Sequence, residues 1–364
     1  MAIVRLALTH AYSWPEVRRG AERILRDLSR SLAARGHEVT VVTAGTSAGR
    51  RVEDGVTVVR MRRFFDADPY HDRDFAARLL PRLVGGRFDA VHSFGPRDAE
   101  ASIRAARVHR RRRTVYTNLG LPFRWAWDPR PDGDAHQRVV KEIDVYGCMS
   151  RFALDALAED YGRTGALTPG GVNTRQFTPA ASRTPTPTIL FSGALGETRK
   201  GAATLLRALA LVVRDDPTVR LWLSGPGDGD ALLAAAPPAV RNHVDVLPLG
   251  GPDEQPDRYG TAWVTALPSR NDSFGMVLVE SLACGTPIVA STHAALPELV
   301  EPGVTGALCE PDDPVSLAGA LKCAIELARR PGTAAACRAA AMPFDWDTAV
   351  APAMEALYAG PDAG

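Results

Sequence analysis

Residues Pro268–Glu280 read PSRNDSFGMVLVE and follow a short apolar run, Trp263–Leu267. The run predicts a buried strand, the polar loop predicts a turn at Gly275, and Met276–Ala283 predicts a helix. A helix N-terminus presents unpaired N–H groups and a partial positive charge, so this joint is suited to phosphate. Acids flank it at Asp272 and Glu280. A carboxylate beside a diphosphate would be repelled, so Glu280 points to hydroxyls such as those of a ribose. Asp272 either accepts hydrogen bonds from a sugar or caps the turn.

Around this stretch, strands alternate with helices. Ile3–Leu8, Glu38–Thr43, Val56–Arg60, Asp89–His92, Thr114–Thr117 and Asp144–Cys148 read as strands. Between them, helical spacing runs from Gly20, with Gly36 past its end, over Asp74–Leu83, near Ala99–Arg110 and over Arg151–Tyr161. The stretch Thr174–Pro187, with Pro179, Pro185 and Pro187, breaks the rhythm and predicts a domain boundary. Ile189–Phe191, Val219–Leu223, Val244–Leu247, Pro287–Ser291 and Gly306–Cys309 restart the strands. Ala202–Val213, Pro314–Arg329, Thr333–Ala341 and Trp346–Tyr358 read as helices. The pattern is α/β, with two Rossmann-like, doubly wound parallel sheets. The expected domains are residues 1–178, 179–344 and a closing helical segment, 345–364. Two such domains place ligand between them at the carboxyl ends of their strands.

Composition narrows the function classes. The chain has 364 residues, 45% hydrophobic and 23% charged, and a formal net charge of +1. That balance carries no bias toward nucleic acid or lipid. No apolar run reaches about 18 residues, the length of a spanning helix. MAIVRLALTH at the start reads as a core strand rather than a signal peptide. The five cysteines, Cys148, Cys284, Cys309, Cys323 and Cys337, are scattered, which predicts free buried thiols in a cytosolic protein. No His or Cys spacing predicts a metal site.

The loop Ser192–Gly201, SGALGETRKG, again joins a strand to a helix. Arg199 and Lys200 stand where the helix begins, against its dipole, and a bound polyanion would resolve that conflict. The alternative is a pair of solvated cations. His109–Arg113, HRRRR, reads either as a helix end or as a peripheral contact with anionic lipid. Leu121–Gln137 carries Trp125 and Trp127 on a Pro-rich loop, read either as an acceptor lid or as loop packing.

The stretch DSFGMVLVESLACGTPIVAS resembles the signature of glycosyltransferase family 4, whose enzymes have the GT-B fold. RRGAERILRDLSRSLAARGHEVTVVT, GGVNTRQFTP, ILFSGALGETRKGAATLLRALA and FDWDTAVAPAMEALY are similar to further motifs of that family. The resemblance covers nearly all of residues 1–360. It implies retaining transfer of a sugar from a UDP- or GDP-type nucleotide sugar, without metal or cofactor, to a small-molecule or lipid acceptor. It makes the first domain the acceptor side and the second the donor side, with the closing helix returning to the first. Lys200, with Arg199, would stabilise the leaving diphosphate, and Asp272 would hold the donor sugar. Donor contacts would come from Gly20, Gly193, Ser273, Phe274, Gly275, Met276, Val277 and Glu280, with Ser224–Asp228 and Val244–Pro248 near the base. Three positions depart from the family pattern. Asp272 replaces Glu, Ala194 replaces Arg, and Leu119 in VYTNLG replaces His, with Asn118 or Thr117 as neighbouring substitutes. Leu119 and Ala194 keep a second reading open, a non-catalytic sugar-nucleotide-binding partner subunit.

Overall fold

In a computed structural model, residues 3–17, 19–63, 73–109, 112–251 and 253–359 are described. The chain forms two compact units, Met1–Gly171 with Trp346–Gly364, and Val172–Asp345.

The first unit holds strands β1 (Arg5–Thr9), β2 (Glu38–Gly45), β3 (Gly49–Glu53), β4 (Val56–Arg62), β5 (Ala90–Ser93), β6 (Arg113–Asn118), β7 (Val145–Cys148) and β8 (Ala166–Leu167). Their order is β3-β4-β2-β1-β5-β6-β7-β8, parallel except that β3 runs antiparallel to β4. Its helices are α1 (Gly20–Ala34), α2 (Arg73–Gly85), α3 (Pro96–Ala106), α4 (Arg124–Trp127), α5 (Gly133–Glu142) and α6 (Arg151–Tyr161). The 3.6-residue spacing of Ile24, Leu25, Leu28 and Leu32 puts them on one buried face of α1. Leu79 and Leu83 of α2 pack with Ala7, Val42 and Val91 of the sheet.

The second unit holds β9 (Thr188–Ser192), β10 (Arg220–Ser224), β11 (Val244–Val246), β12 (Val264–Leu267), β13 (Ile288–Ser291) and β14 (Gly306–Cys309). Their order is β11-β10-β9-β12-β13-β14, and every pair is parallel. Its helices are α7 (Ala202–Asp215), α8 (Gly229–Ala234), α9 (Glu254–Thr261), α10 (Met276–Ala283), α11 (Pro314–Arg329) and α12 (Thr333–Ala341). Leu205 and Leu209 of α7 meet Leu221 and Leu223 of β10 and Leu321 of α11 in one core.

The boundary differs from the Pro-rich stretch. Val172 N–H donates to Phe344 O, Thr174 Oγ1 donates to Asp345 Oδ2 and Arg338 donates to the carbonyls of Thr174 and Phe177. These bonds place residues 172–178 and Asp345 in the second unit. The linker composition marks a surface crossing of that unit rather than its edge. The Pro-rich loop Leu121–Gln137 contains α4 and the start of α5. Of the expected lipid-contacting patch, Arg110 and Arg111 lie outside the described residues. Arg112 is turned inward, its guanidinium donating to the carbonyls of Leu83, Gly86 and Phe88 at the end of α2. Four of the cysteines are buried free thiols as expected, while Cys323 is exposed. Among the described residues no helix is long and apolar enough to cross a membrane.

The closing segment belongs to the first unit, where it ends in α13 (Ala351–Tyr358). Ser31 Oγ lies 2.6 Å from Asp347 Oδ1, and Tyr358 Oη lies 2.8 Å from His92 Nδ1. Burial pushes His92 down to about 3, so its imidazole is neutral in this contact. Glu355 accepts from Arg35 and lies 2.9 Å from His37 Nε2. Arg35 holds the Glu355 carboxyl below its ordinary range against the opposing effect of burial, with His37 adding to the effect. A depressed carboxyl stabilises the fold above its unfolded pKa of about 4.3 and loses that contribution as pH falls through the folded value. Glu355→Gln is therefore expected to cost about 3 kcal/mol at pH 7. In scanning calorimetry the gap to wild type should narrow below about pH 4, whereas a gap unchanged by pH would assign the effect to packing alone.

Candidate active site

In an open parallel sheet, ligands bind outside the carboxyl ends of the strands where the winding direction switches. In the second unit the chain runs from β9 outward to β10 and β11, then returns to β12 on the other side of β9. The switch therefore lies between β9 and β12. The loops leaving these two strands are Gly193–Gly201 and Pro268–Gly275, the two stretches singled out from the sequence.

Several contacts hold these loops together. Arg270 N–H donates to Arg199 O at 2.7 Å, and Ser269 Oγ donates to the same carbonyl at 3.1 Å. Gly201, at φ +78°, has space for only a hydrogen, because a Cβ would lie 2.5 Å from Pro268 O. The side chains meet as well, with Lys200 Nζ 2.6 Å from Asp272 Oδ2. The two side chains are 18% and 11% exposed. Burial pushes the Asp272 carboxyl up, but Lys200, with Arg199 and the Phe274 N–H, brings it below the ordinary range. Arg199 itself turns to Glu197 at 2.6 Å and is half exposed.

Beyond Asp272 the chain turns at Gly275, φ +95°, where a Cβ would lie 2.8 Å from Leu296 Cδ2. Met276 and Val277 then open α10 in its first turn, where backbone N–H groups lack the carbonyl partners of a helix interior. Ser273 is half-buried, and Phe274 packs edge-on against Phe344. Glu280 is wholly buried on α10. Gly193 donates its N–H to Ser224 O at 2.8 Å, so that amide is spent in bracing the loop against β10.

The expected acceptor-side residues separate into two groups. Asn118 is 1% exposed. Its Nδ2 donates to Tyr146 Oη at 2.9 Å, and its Oδ1 accepts from Gly120 N–H at 3.0 Å. It therefore presents no free polar group in place of the missing histidine. Trp127 is 5% exposed, stacked on His136 at 4.1 Å and donating to Leu121 O. It is core packing. Trp125 is 67% exposed and stacks on Phe123. Leu119 follows Asn118 at the end of β6, half-buried. Gly20 opens α1 with open space around it, so nothing in its surroundings demands glycine.

The switch point of the first unit lies between β1 and β5. Thr9 Oγ1 there lies 2.9 Å from both Ser93 Oγ and Asp98 Oδ2. Glu22, in the first turn of α1, is wholly buried and meets Arg19 at 2.9 Å and His10 at 3.7 Å. Burial raises its carboxyl, and His10 and Arg19 more than offset that. Glu22 lies within the RRGAERIL motif, but its burial depends on contacts with His10 and Arg19 that no local pattern marks. Among the described residues no group of three His, Cys, Asp or Glu side chains is placed to hold a metal ion.

Known proteins share this architecture. Sucrose-phosphate synthase from Thermosynechococcus elongatus superposes with a TM-score of 0.79 at 20% identity, covering 98% of each chain. Anabaena HepE in complex with UDP and glucose superposes at 0.76 and 18% identity, over 97% of this chain and 99% of that one. The fold is the two-sheet GT-B fold. Residues 18–176 match the family described as "Glycosyltransferase Family 4", and residues 186–326 match "Glycosyl transferases group 1". D-inositol 3-phosphate glycosyltransferase of Streptosporangium roseum is 31% identical, over 92% of this chain and 86% of that protein. Phosphatidyl-myo-inositol mannosyltransferase of Mycobacterium leprae is 28% identical, over 87% and 86%. The chain belongs to glycosyltransferase family 4.

Lys200→Ala and Asp272→Ala each leave the other charge without its partner, so each should lower the Tm. The double variant should lose less than the sum, with a coupling of about 1–3 kcal/mol in a double-mutant cycle. Additive losses would mean that the pair is not formed in solution. Trp127→Ala should destabilise by about 3–5 kcal/mol, whereas Trp125→Ala should leave the denaturant midpoint within about 0.5 kcal/mol of wild type.

Proposed function

We propose that this glycosyltransferase moves a sugar, with retention at the anomeric carbon and without a metal ion, from a UDP- or GDP-type nucleotide sugar to a small polyhydroxylated acceptor. The observation that carries the reading is the Lys200–Asp272 pair at the β9/β12 switch. A diphosphate arriving there offers Lys200 a second, more highly charged partner. Lys200, Arg199 and the first amides of α10 then supply positive charge where the leaving group gains negative charge. Asp272, released from Lys200, accepts hydrogen bonds from the donor sugar, and Glu280 accepts them from the ribose. The bond between the anomeric carbon and the phosphate oxygen breaks, and the diphosphate leaves with the electron pair. The acceptor oxygen bonds to the anomeric carbon on the same face and passes its proton to the departing diphosphate oxygen. Retention is supported by family membership, and metal independence by Lys200, which can turn from Asp272 to the diphosphate, together with the first amides of α10.

A small polyol acceptor is supported by the relative named for D-inositol 3-phosphate, and the relative named for phosphatidyl-myo-inositol carries the same polyol on a lipid. The exposed Trp125 face suits stacking on a sugar or polyol ring. A lipid acceptor held through the His109–Arg113 patch has less support, because Arg112 is occupied by backbone carbonyls.

Thermal-shift screening with UDP, GDP and ADP should raise the Tm with at least one of them, and Lys200→Ala and Glu280→Ala should each abolish the shift. With the matching nucleotide sugar, turnover should persist in EDTA, and NMR of the product should show the donor's anomeric configuration. No shift with any nucleotide would sink the donor-site reading. A shift without turnover across an acceptor panel would favour a binding subunit.

A further inference from the structure

The donor's nucleoside can extend from the β9/β12 switch toward β10 and β11 or toward β13 and β14. The β13/β14 side is charged, with Arg270 paired to Asp312 at 3.0 Å and Glu310 exposed beside them. The β10/β11 side also carries exposed charge, at Glu254 and Asp228, but adds apolar surface, with Val246 and Leu249 both exposed. An uncharged aromatic base fits the apolar side. Two loops form that side, Ser224–Gly227 after β10 and Leu247–Gly250 after β11.

One side chain ties these loops together. Arg258 of α9 is 12% exposed although its partner Glu254 is 63% exposed. Its Nη1 lies 2.9 Å from Ser224 Oγ and 2.9 Å from Pro248 O, while Nη2 reaches Glu254 at 3.1 Å. Gly250 packs on the guanidinium so closely that a Cβ there would lie 2.9 Å from Arg258 Cζ. The same β10 loop braces the diphosphate loop, because Ser224 O and Pro226 O accept from Gly193 and Leu195 N–H. A planar guanidinium fixes several acceptors in one rigid geometry, which a flexible ammonium does only in part.

We propose that Arg258 is a positioning residue for the nucleoside of the donor. It holds the β10 and β11 loops at one spacing, so that the base enters a preformed slot while the diphosphate is held separately at Lys200. The proposal rests on the donor-site reading above. It assigns discrimination between bases to the spacing of these two loops, and diphosphate binding to the switch.

The test compares binding of UDP, GDP and inorganic pyrophosphate by calorimetry in wild type, Arg258→Met, Arg258→Lys and Gly250→Ala. Gly250→Ala keeps the charge but pushes the guanidinium off Pro248. Arg258→Met and Gly250→Ala should each weaken the preferred nucleoside diphosphate about tenfold, the loss of one charge-assisted contact. Pyrophosphate affinity should stay unchanged, and Arg258→Lys should recover part of the loss. Equal weakening of pyrophosphate would overturn the proposal, since it would show general loosening of the unit. Unchanged nucleotide affinity in both variants would also overturn it while leaving the donor site standing. A wild type that binds neither nucleotide would overturn the donor-site reading and this one together. If Arg258→Met fails to fold, Gly250→Ala decides the question.

Discussion

A single ion pair, Lys200 to Asp272, links the two loops on which the proposed chemistry depends. It forms because parallel β9 and β12 are neighbours, so loops that lie 72 residues apart in sequence leave the sheet side by side. The backbone approaches first, through Arg199 O and the bare Gly201, and the side chains then have little room to avoid each other. Partial burial raises the cost of either charge standing alone, so each holds the other in place. The unliganded site is thus a neutralised pair rather than an open cation. In the proposed function a diphosphate would compete with that carboxylate for Lys200, and the displaced carboxylate would be free to serve the sugar.

The Asp in place of the family's Glu belongs to the same arrangement. A side chain one methylene shorter draws its carboxylate closer to its own loop, where Oδ1 also lies 3.4 Å from Phe274 N–H and Oδ2 meets Lys200. The shortened acid is held from both sides. Within the proposed function, its short reach keeps the carboxylate beside the diphosphate loop once Lys200 turns away. It also limits how far the carboxylate can follow a bulky donor sugar.

Features written in local sequence were legible. The helix Met276–Ala283 and the loop before it show an apolar run, a glycine and a polar turn, and α11 and α12 show a clear period. Strand β3 was not legible, because all five of its residues are exposed and no alternation marks it. Helices α4 and α5 were hidden by Pro129, Pro131 and Gly133, which end one helix and begin the next instead of denying both. The partners of Asn118 and Trp127 were not legible for a different reason, and of the two readings of Trp127 the structure takes loop packing. The orientation of both side chains is decided by Tyr146 and His136, which reach them only after the sheet and α5 have assembled. Lys200 and Asp272 were each recognised, but their pairing depends on strand order, which no local pattern encodes.

The chain's basic composition bears on the identity of Lys200. Of its 43 basic residues only three, Lys141, Lys200 and Lys322, are lysines. Where a cation braces backbone carbonyls away from solvent, this protein uses arginine, as Arg112, Arg258 and Arg338 do, while Lys141 and Lys322 stand on the surface. An arginine at position 200 would grip Asp272 with two parallel bonds and give it up reluctantly. Lysine is a point charge on a flexible stem, able to turn from one anion to another without breaking a fork of bonds. A lysine in so arginine-rich a chain, at the one place where the proposed reaction requires a cation to change partners, fits a group chosen for exchange rather than for structural strength.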